Sequence, residues 1–284
     1  MISVVIPAHN ESAVIGRLLS GLLADAAPDE FDVVVVANGC TDDTAEVAGA
    51  FGPAVTVLTS PIPSKAAAMR LGDEKAHGFP RLYVDADVEL STAGARALAA
   101  ALAEPGVLAV APERVLALDD RPLTVRWYYE FWQHLPVVRE GLFGRGVIGV
   151  NEAGKRRLGL LPDVMGDDLL ASVAFEPGEK RVVPGAPVRV HPPRNTGDLI
   201  RRRVRSVTST DQLARHTSAG AHARTTRADL FAVVRARPAM ALRLPLFIGI
   251  TLLARRRSRQ RVSSGDFTTW DRDESSRQSP GDGA

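Results

Sequence analysis

Arg81-Leu82-Tyr83-Val84-Asp85-Ala86-Asp87 is the stretch on which the fold turns. A short run without polar alternation stops abruptly at two carboxylates. Such a run reads as a strand buried on both faces, as in a parallel sheet. Three others precede it: residues 2–6, stopped by Pro7; residues 31–37, stopped by Asn38-Gly39; and residues 55–58. Helical patterns lie between them. Residues 11–23 place Val14, Leu18 and Leu22 on one face, with Ile15 and Leu19 beside them. Thr41 can cap a helix that carries Asp42 and Asp43 in its first turn, Ser64 one reaching Leu71, and Ser91 an alanine-rich one over 92–103. The order β-α-β-α-β-α-β-α predicts a doubly wound sheet, whose ligands bind past the carboxyl ends of the strands.

Composition bounds the rest. The chain has 284 residues, 45% hydrophobic and 24% charged, enough for a large core in one domain or two closely packed subdomains. The single cysteine, Cys40, excludes an intramolecular disulfide scaffold and a cysteine-rich zinc site. The net charge of +2 hides an asymmetry. Residues 1–120 hold 7 Lys+Arg against 17 Asp+Glu, a net −10; residues 121–284 hold 28 against 16, a net +12. An acidic front and a basic back suit a phosphate-binding enzyme whose front holds a metal. They also suit a basic tail on an anionic surface. The first residues lack a basic leader, and the late apolar stretch at 244–254 has eleven residues where roughly 20 would cross a bilayer. The expectation is a cytoplasmic protein, with room for peripheral contact at the inner face of the membrane.

Past residue 105 the pattern is less regular. Residues 107–111 suggest a strand. Residues 122–135 suggest a helix carrying Trp127, Tyr128, Tyr129, Phe131 and Trp132, either core or the wall of an acceptor groove. Gly141, Gly144, Gly146 and Gly149 make a glycine-rich loop. Val164-Met165-Gly166-Asp167-Asp168 leads into a short helix, residues 181–190 suggest edge strands with prolines, and residues 198–214 suggest a strongly basic helix.

The loops after the strands carry the candidate chemistry. Asp85 and Asp87 can both reach a ligand if the chain turns there, and hard carboxylate oxygens suit Mg²⁺ or Mn²⁺ shared with a diphosphate. On its own, Asp-x-Asp also simply ends a strand in solvent. Pro7-Ala8-His9-Asn10-Glu11 follows the first strand, where Asn10 serves equally well as a helix cap. Asn38-Gly39 follows the second and permits a sharp turn. Lys65 opens the third helix, as a phosphate or sugar contact or as a solvated charge.

Taken in order, Val4-Val5-Ile6-Pro7-Ala8-His9-Asn10-Glu11, Val36-Ala37-Asn38-Gly39-Cys40-Thr41-Asp42-Asp43-Thr44, Lys65 with Ala68 and Gly72, and Asp85-Ala86-Asp87 resemble family 2 of the inverting glycosyltransferases. The resemblance implies a GT-A fold: an α/β, Rossmann-like, mostly parallel sheet flanked by helices, with a mixed acceptor-side subdomain. It implies a donor-binding part at 1–105 and an acceptor-side, catalytic-base part at 106–215. A helical basic extension at 216–262 and a polar, partly disordered tail at 263–284 would follow. By the same resemblance Pro7, Ala8 and Glu11 border the nucleoside, and Asn38 lies near the base, where many relatives have aspartate. Asp85 meets the ribose or sugar side, with Ala86 between it and Asp87, the ligand of a metal that bridges the diphosphate. Lys65 helps to position the donor.

Inversion needs a base to deprotonate the acceptor hydroxyl as it attacks the anomeric carbon. The family draws it from an acidic pair after the metal motif, and Asp168, with Asp167 second, fits; a plain helix start with two acids is the other reading. Gly146 belongs to a loop that resembles the one beneath acceptor and donor sugar. Arg202 and Arg205 lie where processive relatives end a basic segment with Gln-x-x-Arg-Trp. Here Ser206 follows Arg205, which argues against a processive synthase, and the arginines serve equally well as phosphate contacts or as a solvated helix face. His191 is a candidate third metal ligand, as the resemblance implies for some GT-A enzymes, or a structural histidine. The implied cofactor is Mn²⁺ or Mg²⁺. The implied partners are a nucleotide-sugar donor, most simply UDP-linked, and a small-molecule, glycan or lipid-linked acceptor. A sugar nucleotidyltransferase would show a glycine-rich basic loop after the first strand, which is absent. Nucleic-acid binding or another non-catalytic role fits the acidic front poorly.

Overall fold

The structure is a computed structural model. It describes residues 1–159, 167–216 and 225–263, with side chains for all of these except 167, 168, 211–216 and 261–263. The expected approach to the acidic pair at 164–166 and the tail at 264–284 lie outside the described residues.

The first four strands are β1 (Ile2–Ala8), β2 (Phe31–Asn38), β3 (Val55–Ser60) and β4 (Arg81–Val84). They pair in parallel in the order β3-β2-β1-β4. The lack of alternation in these strands has a direct cause. Val4, Ile6, Val33 and Val35 face one core and Val5, Val34 and Val36 another, on opposite sides of the sheet. Helices α1 (Ser12–Leu23), α2 (Thr44–Gly49) and α3 (Lys65–Lys75) make the crossovers, and α4 (Thr92–Leu102) follows the short strand β5 (Glu89–Leu90). Because β2 and β3 lie on one side of β1 and β4 on the other, the chain switches direction between β1 and β4. That crevice, at the strands' carboxyl ends, is where Pro7-Ala8 and Asp85 meet.

Ser64 and Ser91 cap α3 and α4 as expected, accepting hydrogen bonds from Ala67 N (3.3 Å) and Gly94 N (3.1 Å). Helix α3 runs past Leu71 to Lys75. It lies directly on β1, because a Cβ at Gly72 would sit 2.4 Å from Val5 Cγ1. Thr41 is not the cap of α2. The Asn10 side chain takes the Thr41 N–H, and Asp42 accepts the Thr44 N–H in an Asx turn, so the helix starts two residues later than expected, with Asp43 in the cap position.

The sheet continues through β7 (Val147–Val150), β6 (Ala109–Leu116) and β8 (Lys180–Val190) to β5. Here β4–β7, β7–β6 and β8–β5 are antiparallel and β6–β8 parallel, the mixed half of a GT-A sheet. The strand expected at 107–111 begins at Ala109, because Asn151 Nδ2 donates to Val107 O and the Leu108 N–H donates to Glu179 O. Residues 181–190 form one strand rather than several. Its register against β6 shifts where Val183 pairs with Pro112 and Pro187 with Glu113, so Pro184-Gly185-Ala186 bulge out and the prolines cost the ladder little.

The aromatic segment is α5 (Leu123–Trp132), followed by α6 (Pro136–Glu140). Val125, Tyr128, Tyr129, Phe131 and Trp132 are buried, and Phe247 lies 5.1 Å from the Tyr128 ring and 4.8 Å from Phe131. Core packing is thus the use of four of the five aromatics, Tyr128, Tyr129, Phe131 and Trp132, while Trp127 is half-buried beneath Arg243. Helices α7 (Glu152–Leu158) and α8 (Asp167–Val173) flank the sheet. Helices α9 (Thr196–His216), α10 (Arg227–Ala236) and α11 (Leu244–Ser263) complete the third core with α5. Among the described residues no helix is long and apolar enough to cross a membrane.

Candidate active site

The loops after β1 and β2 are sewn to each other by short polar side chains. Asn38 is buried, and its Nδ2 donates to Ala8 O (2.9 Å). His9 Nδ1 lies 2.6 Å from Asn38 O. Asn10 takes the left-handed conformation (φ 51°), which aims its Oδ1 at the Thr41 N–H (2.7 Å). The Glu11 N–H donates to Thr44 Oγ1 (2.8 Å), and Asp42 also accepts the Ser12 N–H (3.1 Å). Glu11, not Asn10, occupies the cap position of α1. The result is a stiff floor in which Ala8 and Glu11 are buried and Asn38 spends its amide nitrogen inside the floor.

Across the switch point, Asp85 ends β4. Its N–H donates to Gly146 O (2.7 Å) and its Oδ1 accepts from Lys65 Nζ (2.7 Å). Lys65 stands at the first position of α3, so the Ser64 cap fixes where its chain starts. Both partners stay part-exposed, at 29% for Lys65 and 42% for Asp85, so the pair faces solvent as well as each other. Gly146 has φ +68°, and a Cβ there would lie 2.4 Å from Val88 Cγ1. Only glycine brings this carbonyl so close to Asp85. Pro7, Lys65, Asp85, Gly146 and Ala171 line one small cavity of about 50 Å³ that opens to solvent. Ala171 belongs to α8, so the helix that begins with Asp167 and Asp168 walls the same cavity; the side chains of that pair lie outside the described residues.

Ala86 is buried in the core, and the chain then turns through half-buried Asp87 into β5. Arg17 Nη2 donates to Asp87 O (3.4 Å), and Arg17 Nε pairs with Glu89 (3.3 Å). Glu89 in turn meets His191 Nε2 at 2.6 Å. His191 directly follows β8, whose antiparallel pairing with β5 brings it to this edge. Burial pushes the His191 ring below its ordinary value, against the opposing pull of the Glu89 bond, and so favours the neutral imidazole. Arg202 Nη1 donates to His191 O (3.4 Å), which brings α9 to the same edge, and half-buried Arg205 lies one turn further on.

Sequence reasoning missed Arg17, Glu89 and the use of Arg145. An acid at every second position, 85, 87 and 89, was a signal for Glu89. Arg17 gave none. Arg145 lies within the glycine loop but is buried, donating to Gly141 O, Pro112 O, Val138 O and Arg139 O.

Among the described residues no three His, Cys, Asp or Glu side chains are grouped to hold a metal by themselves. A divalent ion here would take one carboxylate from Asp87, with His191 at the same edge, and complete its shell from diphosphate oxygens. That donor set fits Mg²⁺ or Mn²⁺, which are readily held by one or two protein ligands plus phosphate.

Residues 3–157 match the family model described as glycosyl transferase family 2. The chain belongs to that family. Its sheet is that of GT-A transferases of known structure. A mannosyltransferase from Pyrobaculum calidifontis, solved with GDP-Man and Mn²⁺, aligns over 93% of this chain and 79% of its own, with 20% identity and a TM-score of 0.61. Glucosyl-3-phosphoglycerate synthase from Mycobacterium tuberculosis, solved with phosphoglyceric acid, aligns over 76% of this chain and 79% of its own (20% identity, TM-score 0.52). Residues 1–349 of TarS from S. aureus, solved with UDP, align over 96% of this chain and 94% of their own (15% identity, TM-score 0.52). No curated protein sequence matches the chain. This family 2 member therefore shares a fold with enzymes that hold nucleotides and nucleotide sugars.

Proposed function

We propose that the protein is a metal-assisted, inverting, non-processive glycosyltransferase that moves a sugar from a nucleoside-diphosphate donor, UDP-linked in the simplest case, to an acceptor hydroxyl. The observation that carries this reading is the Lys65–Asp85–Gly146 contact at the switch point, with Asp87 in the turn that follows. Pro7, Ala8, Glu11 and Asn38 form the floor for the nucleoside. Asp85 accepts from ribose or sugar hydroxyls, and Lys65, held beside it, positions the donor. Asp87, aided by His191, would hold Mn²⁺ or Mg²⁺, whose charge neutralises the departing diphosphate. Arg202 and Arg205 add positive charge toward the phosphates. Gly146 lets the loop pass close under the sugar. Asp168, with Asp167 second, removes the acceptor proton. A new bond then forms from the acceptor oxygen to the anomeric carbon while the bond to the diphosphate oxygen breaks on the opposite face. The nucleoside diphosphate leaves with that electron pair.

The acceptor belongs to one of three classes: a small metabolite, a glycan or a lipid-linked molecule. The reading includes a cytoplasmic location and a peripheral contact between the basic C-terminal segment and a membrane.

The test is purified protein with Mn²⁺ and a panel of UDP- and GDP-sugars, following release of the nucleoside diphosphate. Absence of release, together with absence of metal-dependent binding for every donor, overturns the proposal. Within it, Asp168→Asn should lower kcat by about 10²–10⁴-fold while donor binding is kept. Full activity in that variant would move the base elsewhere.

A further inference from the structure

Helix α11 has two unlike faces. Phe247, Ile250, Ala254 and Ser258 point into the third core, where Ser258 Oγ meets Thr208 Oγ1 of α9 at 2.8 Å. On the opposite stripe, at helical spacing, lie Pro245, Gly249, Leu252 and Arg256, all exposed. Leu252 is 57% exposed and its neighbour Leu253 36%. The next turn presents Arg255, Arg256, Arg257 and Arg259 to solvent, and none of the four has a carboxylate partner among the described residues. The outer face is thus apolar in its first half and cationic in its second. The same C-terminal unit leaves Phe231 of α10 and Leu242 of the following turn 69% and 68% exposed.

Charge narrows what covers this face. Residues 225–263 contain nine arginines, no lysine and one acid, Asp229. The Asp229 carboxylate is occupied by the Thr226 capping box. Arg243 pairs with Glu130, but Arg255, Arg256, Arg257 and Arg259 have no carboxylate partner among the described residues. A second copy docked on this face would oppose one arginine cluster to another. A nucleic acid would match the arginines and leave the leucines in water. An anionic bilayer satisfies both, with leucine side chains in the boundary between headgroups and acyl chains and guanidinium groups among the phosphates. A helix of this kind would lie on such a surface rather than cross it, because its arginines leave no apolar stretch long enough to span a bilayer.

We propose that the outer face of α11 docks the protein on an anionic lipid surface through Leu252 and Leu253, with Arg255, Arg256, Arg257 and Arg259 as headgroup anchors. The proposal gives residues and a lipid class to the membrane contact in the reading above and rests on that part of it alone. Its test involves no turnover, so its failure leaves the transfer chemistry standing.

The experiment is vesicle flotation of the full chain with phosphatidylcholine alone and with phosphatidylcholine plus phosphatidylglycerol, at low and high salt. Binding is expected only to the phosphatidylglycerol vesicles, and high salt should weaken it. Leu252→Asp with Leu253→Asp should lower the partition by about tenfold or more, and so should Arg256→Glu with Arg259→Glu. Both pairs are on the outer face, so circular dichroism and thermal melting should match the parent chain. Three results overturn the proposal: no binding to anionic vesicles at low salt, binding undiminished in both variants, or a parent chain that ignores vesicles and sediments as a dimer which Leu252→Asp dissociates.

Discussion

The two halves of the sheet hold their loops still with opposite chemistry. Around β1–β4, short side chains serve: Ser64 and Ser91 cap their own helices, Asp42 accepts the Thr44 and Ser12 N–H groups, and Asn10 and Asn38 tie the loop after β1 to the loop after β2. Around β6–β8, guanidinium groups span long gaps. Arg114 lies 4.5 Å over the Trp132 ring and donates to Gly144 O and Val138 O. Arg121 Nε donates to Pro192 O, and Arg145 gathers four carbonyls. Burial pushes the Arg145 guanidinium down to about 10, with Glu113 pulling the other way, so it stays charged at neutral pH. Part of the +12 of the back half is therefore scaffold, an arrangement in which buried cations neutralise the carbonyl ends of loops. The charge asymmetry divides labour within one fold as well as between ligands.

The largest effect expected from this contrast falls on the acidic side. Asp87→Ala should lower kcat/KM by about 10³-fold, because in the proposed site one carboxylate would be the protein's main hold on the metal. Mn²⁺ titration in the presence of nucleoside diphosphate should lose its saturable phase, while urea denaturation stays near that of the parent chain. A variant that bound Mn²⁺ and donor normally would remove Asp87 from the site.

Arg145→Met tests the basic side. The two side chains are similar in length, but methionine leaves buried carbonyls without a donor, at a cost of about 3 kcal/mol in unfolding free energy. Equilibrium urea denaturation measures it. A loss below about 1 kcal/mol would mean that the loop is held by its glycines and that the arginine is dispensable.

The same contrast explains what was legible in the sequence. Ser64 and Ser91 act within three residues, so their caps could be read directly, and buried strands announce themselves by unalternating Val and Ile. Asp85 was legible as the end of a core strand, because the unalternating run stops there; its role toward a ligand came from the resemblance and not from the residue itself. Arg145 reaches Pro112, 33 residues away, and Arg121 reaches Pro192, 71 away. Nothing local marks such partners. The Arg17–Glu89–His191 chain was hidden for the same reason, since it joins α1, β5 and the end of β8. Thr41 failed as a cap because Asn10, from another loop, claimed its N–H.

A local cap should cost less than a buried arginine. Ser91→Ala removes one acceptor from the start of α4 and should lower stability by about 1 kcal/mol. If its effect in urea equalled that of Arg145→Met, the division between local and long-range support would fail.

The smallest expected effect is the pH response of Asp42. Burial acts to raise its carboxyl, but hydrogen bonds from Thr44 and Ser12 outweigh that and hold it below the ordinary value of 3.8. The unfolded chain then takes up the proton more readily than the folded one, so stability rises with pH. The contribution is complete above 3.8 and is lost as pH falls through the lower folded value. Asp42 is largely exposed, and solvent screening limits the effect to less than about 1 kcal/mol. Asp42→Asn keeps an acceptor for the Thr44 N–H and removes the titration. The stability gap between parent and variant should therefore shrink between pH 7 and pH 3, as read by urea denaturation at each pH. A gap that stayed constant would mean that Asp42 works through its shape alone. The donor-side loops would then be held by geometry, with the charge of the carboxylates reserved for the ligand.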